Sequence, residues 1–135
     1  MQVREIIQLK GGTLYTATPQ QPLAKAIDTM AELDVGSLVV MEAGKMAGML
    51  TFREVLEALA RRGGVLGDVS IDAIYERNPL TATPDLEVME LRGAMLERHA
   101  RYVPVMDGGT LMGVVSFHDV AKAVYEEQSF ENRML

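Results

Sequence analysis

A chain of 135 residues, 48% of them hydrophobic, can bury one sizeable core, and its formal charge of −6 argues against a general nucleic-acid surface, which needs accumulated Lys and Arg. The absence of cysteine excludes disulfides, thiolate nucleophiles and thiolate metal sites. Residues 1–10 lack the apolar core of a signal peptide and no run approaches the length of a membrane span, so a cytoplasmic protein acting away from membranes is expected.

In chain order, a short apolar segment (3–9) precedes Thr16-Ala17-Thr18-Pro19, an extended piece in which the proline restrains the preceding threonine from helix. Leu23, Ala26, Ile27 and Met30 then recur at helical spacing. Two apolar runs, 37–41 and 46–50, flank a Gly-containing turn and predict a hairpin. Phe52, Val55, Leu56 and Leu59 predict a helix whose apolar face is buried. Gly63, Gly64 and Gly67 mark a helix stop and connector, and residues 69–75 predict a short helix echoing 3–9. The order then repeats: an extended 81–84, a helix carrying Val88, Leu91 and Met95, a hairpin from 102–106 and 111–115, and a helix carrying Phe117, Val120, Ala121 and Val124. Residues 129–135 leave open a disordered tail or a dimer contact.

The repetition has a fixed shift. Residues 16–59 return as 81–124, displaced by 65 positions without insertion or deletion. The identities are Thr16, Ala17, Thr18, Pro19, Met30, Glu32, Val40, Met41, Gly44, Gly48, Phe52, Val55 and Ala58 with their counterparts, 13 in all, against about 3 by chance at ordinary residue usage. Each copy reads strand, helix, strand, strand, helix, an α+β arrangement with helices on one side of a small sheet. The boundaries in chain order are a first copy at 1–62, a linker with a short helix at 63–78, a second copy at 79–127 and a tail at 128–135, sharing one body.

The residues with chemistry gather at the strand-to-helix junctions. Gly48 to Glu54 and Gly113 to Asp119 each place a hydroxyl residue, Thr51 or Ser116, three positions before a carboxylate, Glu54 or Asp119. This is a capping-box spacing. Its recurrence in both copies beside a glycine that permits close approach raises the weight of a binding role. Ser116, His118 and Asp119 do not make a triad, because residues two apart on a helix face different sides. No phosphate-loop pattern occurs, and the two histidines lack metal-ligand spacing, with His99 reading as a surface or cap residue. Arg61 and Arg62 fit solvated charges at a helix end, and Arg98, His99 and Arg101, clustered just before a strand, fit either solvated charges or a local basic spot. The ten methionines fall mostly on expected core faces, where they suit adaptable packing.

The Thr-Pro segments, the string Tyr102-Val103-Pro104-Val105-Met106-Asp107 followed by two glycines, and the Gly-x-x-Thr/Ser-x-x-Asp junction together resemble the cystathionine β-synthase (CBS) domain family, in particular a stand-alone CBS pair or Bateman module. The resemblance spans residues 3–127. It implies two tandem β-α-β-β-α repeats related by pseudo-twofold symmetry, no catalysis, two clefts for adenosine compounds of the AMP, ADP, ATP or NAD class with AMP foremost, a homodimer, and an unknown regulated protein. By the same pattern Asp119 takes both ribose hydroxyls, Ser116 adds a hydroxyl and His118 faces the phosphates. Lys10, Gly11 and Gly12 with Val35, Gly36 and Ser37 would supply the adenine wall from the opposite repeat. The symmetric cleft would use Thr51, Arg53 and Glu54 with Asn78, Ala100 and Arg101, the last on a phosphate. Glu54 departs from the family's usual Asp, and its additional methylene places the tighter site at Asp119. The alternative is a ligand-free structural module whose activity is dimerisation.

Overall fold

The computed structural model describes residues 1–135 and divides them into two compact units that do not follow chain order: residues 14–79 form one, and residues 1–13 with 80–135 form the other. The N-terminal segment, counted with the first copy along the chain, packs with the second.

In the unit of residues 14–79, β1 (Thr16–Ala17) lies parallel to β2 (Ser37–Glu42), which pairs antiparallel with β3 (Lys45–Thr51) in the order β1-β2-β3. The helices are α2 (Leu23–Leu33) and α3 (Phe52–Arg61). Leu23, Ala26 and Met30 of α2 meet Leu38, Val40 and Leu50 of the hairpin, joined by Ala58, Ile71 and Tyr75. In the other unit, α1 (Val3–Lys10), α4 (Val88–Arg98) and α5 (Phe117–Met134) accompany the hairpin of β4 (Tyr102–Asp107) and β5 (Thr110–Ser116). Val3 and Ile6 join Val88, Leu91, Met95, Val103, Val105, Val115 and Val120 in its core. Both hairpins carry a bulge at the same register, Val40/Met41 and Val105/Met106.

The two chain segments that precede the copies are pinned alike. Val3 N–H donates to the Leu86 carbonyl at 2.9 Å and Ile71 N–H to the Gln21 carbonyl at 3.0 Å, and antiparallel bridges join Gln2 to Glu87 and Ser70 to Pro22. Val3 and Ile71 are both fully buried, each contributing about 1.5–3 kcal/mol of apolar burial. By these anchors the leading segments are offset by 68 residues, not 65.

Several expectations are corrected. Residues 69–75 do not form a regular helix: Val69 and Ile71 use backbone groups to pair with Leu23 and Gln21, leaving only a 3-10 turn at Ile71–Ala73. The opening strand of the second copy shrinks to a single parallel bridge, Ala82 to Val105. In β2, Val39 N–H donates to the Tyr15 carbonyl at 3.0 Å, whereas the equivalent residue of β4 is Pro104, which has no N–H to offer. The apolar face of α3 is not buried as a whole. Phe52 is 52% and Leu56 65% exposed, because the helix lies on the sheet by the narrower stripe of Val55, Ala58 and Leu59. On α5, Ala121 is exposed and Ala123 takes the inward place. Residues 128–134, counted as tail, continue α5 without interruption.

Candidate functional site

At the end of β5 the chain turns directly into α5, with Ser116 extended at the N-cap (φ −92°, ψ 162°). The Ser116 N–H donates to Asp119 Oδ2 at 2.9 Å, and the Asp119 N–H donates back to Ser116 Oγ at 3.0 Å, so two otherwise orphan donors of the first helical turn are satisfied. The same Asp119 Oδ2 lies 2.7 Å from Lys10 Nζ, which also donates to the Val114 carbonyl at 2.9 Å. Burial raises the cost of the Asp119 charge, but Lys10 and the Ser116 hydrogen bonds outweigh it and hold the carboxyl below the ordinary aspartate value. Its side chain is 19% exposed. This is an ionised carboxylate at a helix N-terminus, partly withdrawn from water but still reachable.

The other junction has the same frame and different chemistry. Thr51 N–H donates to Glu54 Oε1 at 2.7 Å, the Thr51 hydroxyl donates to the same oxygen at 2.9 Å, and Arg53 N–H donates to Thr51 Oγ1 at 3.2 Å. Burial pushes the Glu54 carboxyl up, Thr51 pulls it down, and the like charges of Glu57 and Glu76 push it up again, leaving it raised. The longer glutamate folds back over Thr51 and takes both of that residue's donors. Asp119 leaves the Ser116 hydroxyl as an acceptor on its own N–H.

The remaining candidates sit around these junctions within their own units. Gly36 accepts the Phe52 N–H at 3.3 Å and Arg101 the Phe117 N–H at 2.8 Å through their carbonyls, so these two positions are equivalent gateposts of α3 and α5. Val35 and Ala100 each close a helix, donating to Met30 and Met95 across the left-handed residues Asp34 and His99, both at φ 54°. Ser37 opens β2 and is partly buried. Arg53 and His118 are exposed on the first turns of their helices. Gly11 and Gly12 are exposed after α1 and, with Lys10, belong to the same unit as Asp119, not to the opposite repeat as expected, because α1 packs with the second copy; Asn78 N–H donates to Glu76 Oε1 at 2.8 Å. Burial, opposed by Arg101 and reinforced by Asp119, lifts the Tyr102 phenol. No group of three or more His, Asp or Glu is placed to hold a metal ion, and no helix is long and apolar enough to cross a membrane.

The CBS domain family profile matches twice, over residues 4–61 and 68–126. The chain belongs to the CBS domain family. It is 28% identical over 142 residues to the mitochondrial CBS domain-containing protein CBSX3 of Arabidopsis thaliana, covering 98% of this chain and 69% of that protein. It is 26% identical over 106 residues to CBS domain-containing protein YhcV of Bacillus subtilis, covering 78% and 75% respectively. Among solved structures, the CBS-domain containing protein ATU1752 from Agrobacterium tumefaciens superposes with a TM-score of 0.86 at 27% identity, over 91% of this chain and 98% of that one. The CBS domain pair of protein MJ0100, solved with 5′-methylthioadenosine and S-adenosyl-L-methionine, shares the fold at a TM-score of 0.82 and 22% identity, over 94% and 98%.

Within these CBS repeats the junction glycines have a structural duty that the sequence did not disclose. A Cβ on Gly48 would run into the Glu76 carbonyl and come within 2.8 Å of the Tyr75 ring, and one on Gly113 would come within 2.7 Å of Ile7 Cδ1. Both glycines make room for the protein's own leading segment. The Lys10–Asp119 ion pair was equally out of view: its partners are 109 positions apart, and no periodicity links them.

Proposed function

We propose that the chain is an adenosine-nucleotide-binding sensor module, taking compounds of the AMP, ADP, ATP or NAD class with AMP foremost, and acting through a ligand-dependent change in the arrangement of its repeats or of a homodimer. The observation that carries this is Asp119: an ionised, largely sheltered carboxylate beside a serine hydroxyl, at the N-terminal end of α5. A carboxylate accepts two hydrogen bonds from a vicinal diol, each charge-assisted and worth about 1.5–3 kcal/mol. Family membership supports the reading, as does a CBS pair of the same fold solved with two adenosyl compounds. In this reading Asp119 takes the ribose, Ser116 and His118 extend toward the phosphates, and the amides of Gly11 and Gly12 serve the base. Thr51, Arg53 and Glu54 with Asn78 form the weaker counterpart.

Thermal-shift and calorimetric titration with AMP, ADP, ATP and NAD test this directly. Stabilisation by at least one, lost in Asp119→Ala, is expected. No shift with any of them favours the second reading, a structural module whose activity is self-association. The exposed Phe52 and Leu56 on α3 favour that alternative as an apolar contact face.

A further inference from the structure

The two leading segments deliver different groups to equivalent strand ends. In the unit of residues 14–79, the Met49 carbonyl accepts the Glu76 N–H at 2.8 Å, a backbone bridge that holds the segment whatever the side chains do. In the other unit the equivalent carbonyl, Val114, accepts from Lys10 Nζ instead. That ammonium is simultaneously the ion-pair partner of Asp119 Oδ2. The oxygen it contacts is the one that already accepts the Ser116 N–H, and a carboxylate oxygen offers about two lone-pair sites. A sugar hydroxyl seeking Asp119 Oδ2 therefore meets a filled position.

Lys10 is also placed to report its own displacement. It is the last residue of α1, followed by Gly11 at φ 89° and by Gly12, where an added Cβ would meet nothing within 4 Å at either position. Residues 11–13 are the covalent link from this unit to β1 of the other. With its side chain 39% exposed, the Lys10 ion pair has the modest strength of a surface contact, which makes it exchangeable.

We infer that Lys10 is an autoinhibitory latch: its ammonium occupies Asp119 Oδ2 and the Val114 carbonyl when no ligand is present, and a ribose diol displaces it, releasing the end of α1 and the glycine link behind it. The inference rests on Asp119 being the ribose acid. It gives the sensor a local output, because occupancy of the Asp119 site is converted into freedom of the glycine link at residues 11–13.

The test uses 5′-methylthioadenosine, which keeps the ribose diol but has no phosphate for Lys10 to attract. Calorimetric titration compares the unaltered protein with Lys10→Met, Lys10→Arg and Asp119→Ala, and amide hydrogen exchange is followed over residues 5–13. Lys10→Met is expected to bind about threefold more tightly, the scale of an exposed ion pair, with Lys10→Arg unchanged. In the unaltered protein, ligand is expected to speed exchange at residues 8–13. Equal or weaker binding by Lys10→Met, with binding still abolished by Asp119→Ala, overturns the latch and leaves the site reading intact. Absence of binding in every protein, Lys10→Met included, overturns the site reading and the latch together.

Discussion

The two units share a frame to the level of single hydrogen bonds and diverge in what their leading segments do. Residues 69–78 bond to β3 through the backbone and seat Tyr75 over Gly48, with the Arg77 guanidinium 4.2 Å from the Tyr75 ring centre. Residues 3–10 stay helical, seat Ile7 over Gly113 and bring a lysine to the junction acid. The offset of 68 residues makes Asn78 the counterpart of Lys10, so a neutral amide stands where the other unit has an ammonium. Both segments are anchored by backbone at their start, but at the junction strand one is held by a backbone bridge and the other by a charge that can be exchanged. Duplication thus preserved the packing scheme while freeing one acid site for a different electrostatic fate.

The sharpest way to break this comparison is at the glycines. Gly48→Ala drives a methyl into the Glu76 carbonyl and the Tyr75 ring, both held in place by backbone pairing, and is expected to cost about 3 kcal/mol. Gly113→Ala meets only the terminal methyl of Ile7, which can rotate aside, and is expected to cost about 1 kcal/mol or less. Urea denaturation midpoints at constant slope measure both. Equal costs would mean that α1 is held as rigidly as residues 69–78.

Ligand titration sharpens the same contrast at the acids. Asp119→Ala is expected to weaken adenosine-nucleotide binding at least about tenfold, the loss of one charge-assisted hydrogen bond, and Glu54→Ala by about threefold or less. Each acid has one oxygen filled twice, but Glu54 is tied back onto its own N-cap residue by both donors of Thr51, whereas one of the two donors on Asp119 is the exchangeable Lys10 ammonium. Equal losses would contradict the ranking of the two junctions.

The acids should also answer pH and charge removal with opposite signs. Asp119 has a lowered folded-state pKa, so its contribution is present above the ordinary aspartate value and is lost as pH falls through the folded one. Glu54 is raised, so its contribution is present below the ordinary glutamate value and is lost as pH rises through the folded one. At pH 7, Asp119→Asn is therefore expected to destabilise by about 1 kcal/mol and Glu54→Gln to stabilise by a few tenths, both discounted for partial exposure. As pH falls through each acid's folded-state value the difference should shrink, first for the raised Glu54 and later for the lowered Asp119, since each acid is then protonated like its amide replacement. Thermal melts of the two variants from pH 3 to pH 8 provide the check.

The elements that were legible in the sequence are those set by local pattern. Both hairpins, α2, α4 and the capping boxes at Thr51 and Ser116 follow from periodicity and from residue types with one dominant local use. What escaped depends on partners far along the chain. Nothing in residues 69–75 announces that their backbone pairs with residues 21–23, nor does the apolar spacing of Phe52 and Leu56 say how narrow the covered stripe is. Pro104 was in view, but its effect on the opening strand emerges only once Val39 shows which N–H is missing. Asp119 and Glu54 could be chosen as a pair from the repeat; that one meets an ammonium and the other feels the like charges of Glu57 and Glu76 could not.

The smallest expected effect lies at the hairpin tips, far from either acid. Ala43 holds φ 50° beside Gly44 at φ 76°, two consecutive left-handed residues that match the tight turn between twisted strands. Its counterpart in the other unit is Gly108, at φ 59°. Alanine in this conformation brings its Cβ against the following carbonyl, at a cost of about 1 kcal/mol, part of which glycine gives back through the larger entropy of its unfolded chain. Ala43→Gly is therefore expected to stabilise by about 0.5 kcal/mol and Gly108→Ala to destabilise by a similar amount. A Cβ added at Gly108 would meet nothing within 4 Å, so backbone strain sets the sign there. The next residue already distinguishes the turns, since Gly44 is left-handed and its counterpart Gly109 is not; if Ala43→Gly instead lowered the melting temperature, the strain assigned to Ala43 would be refuted and the likeness of the two tips with it.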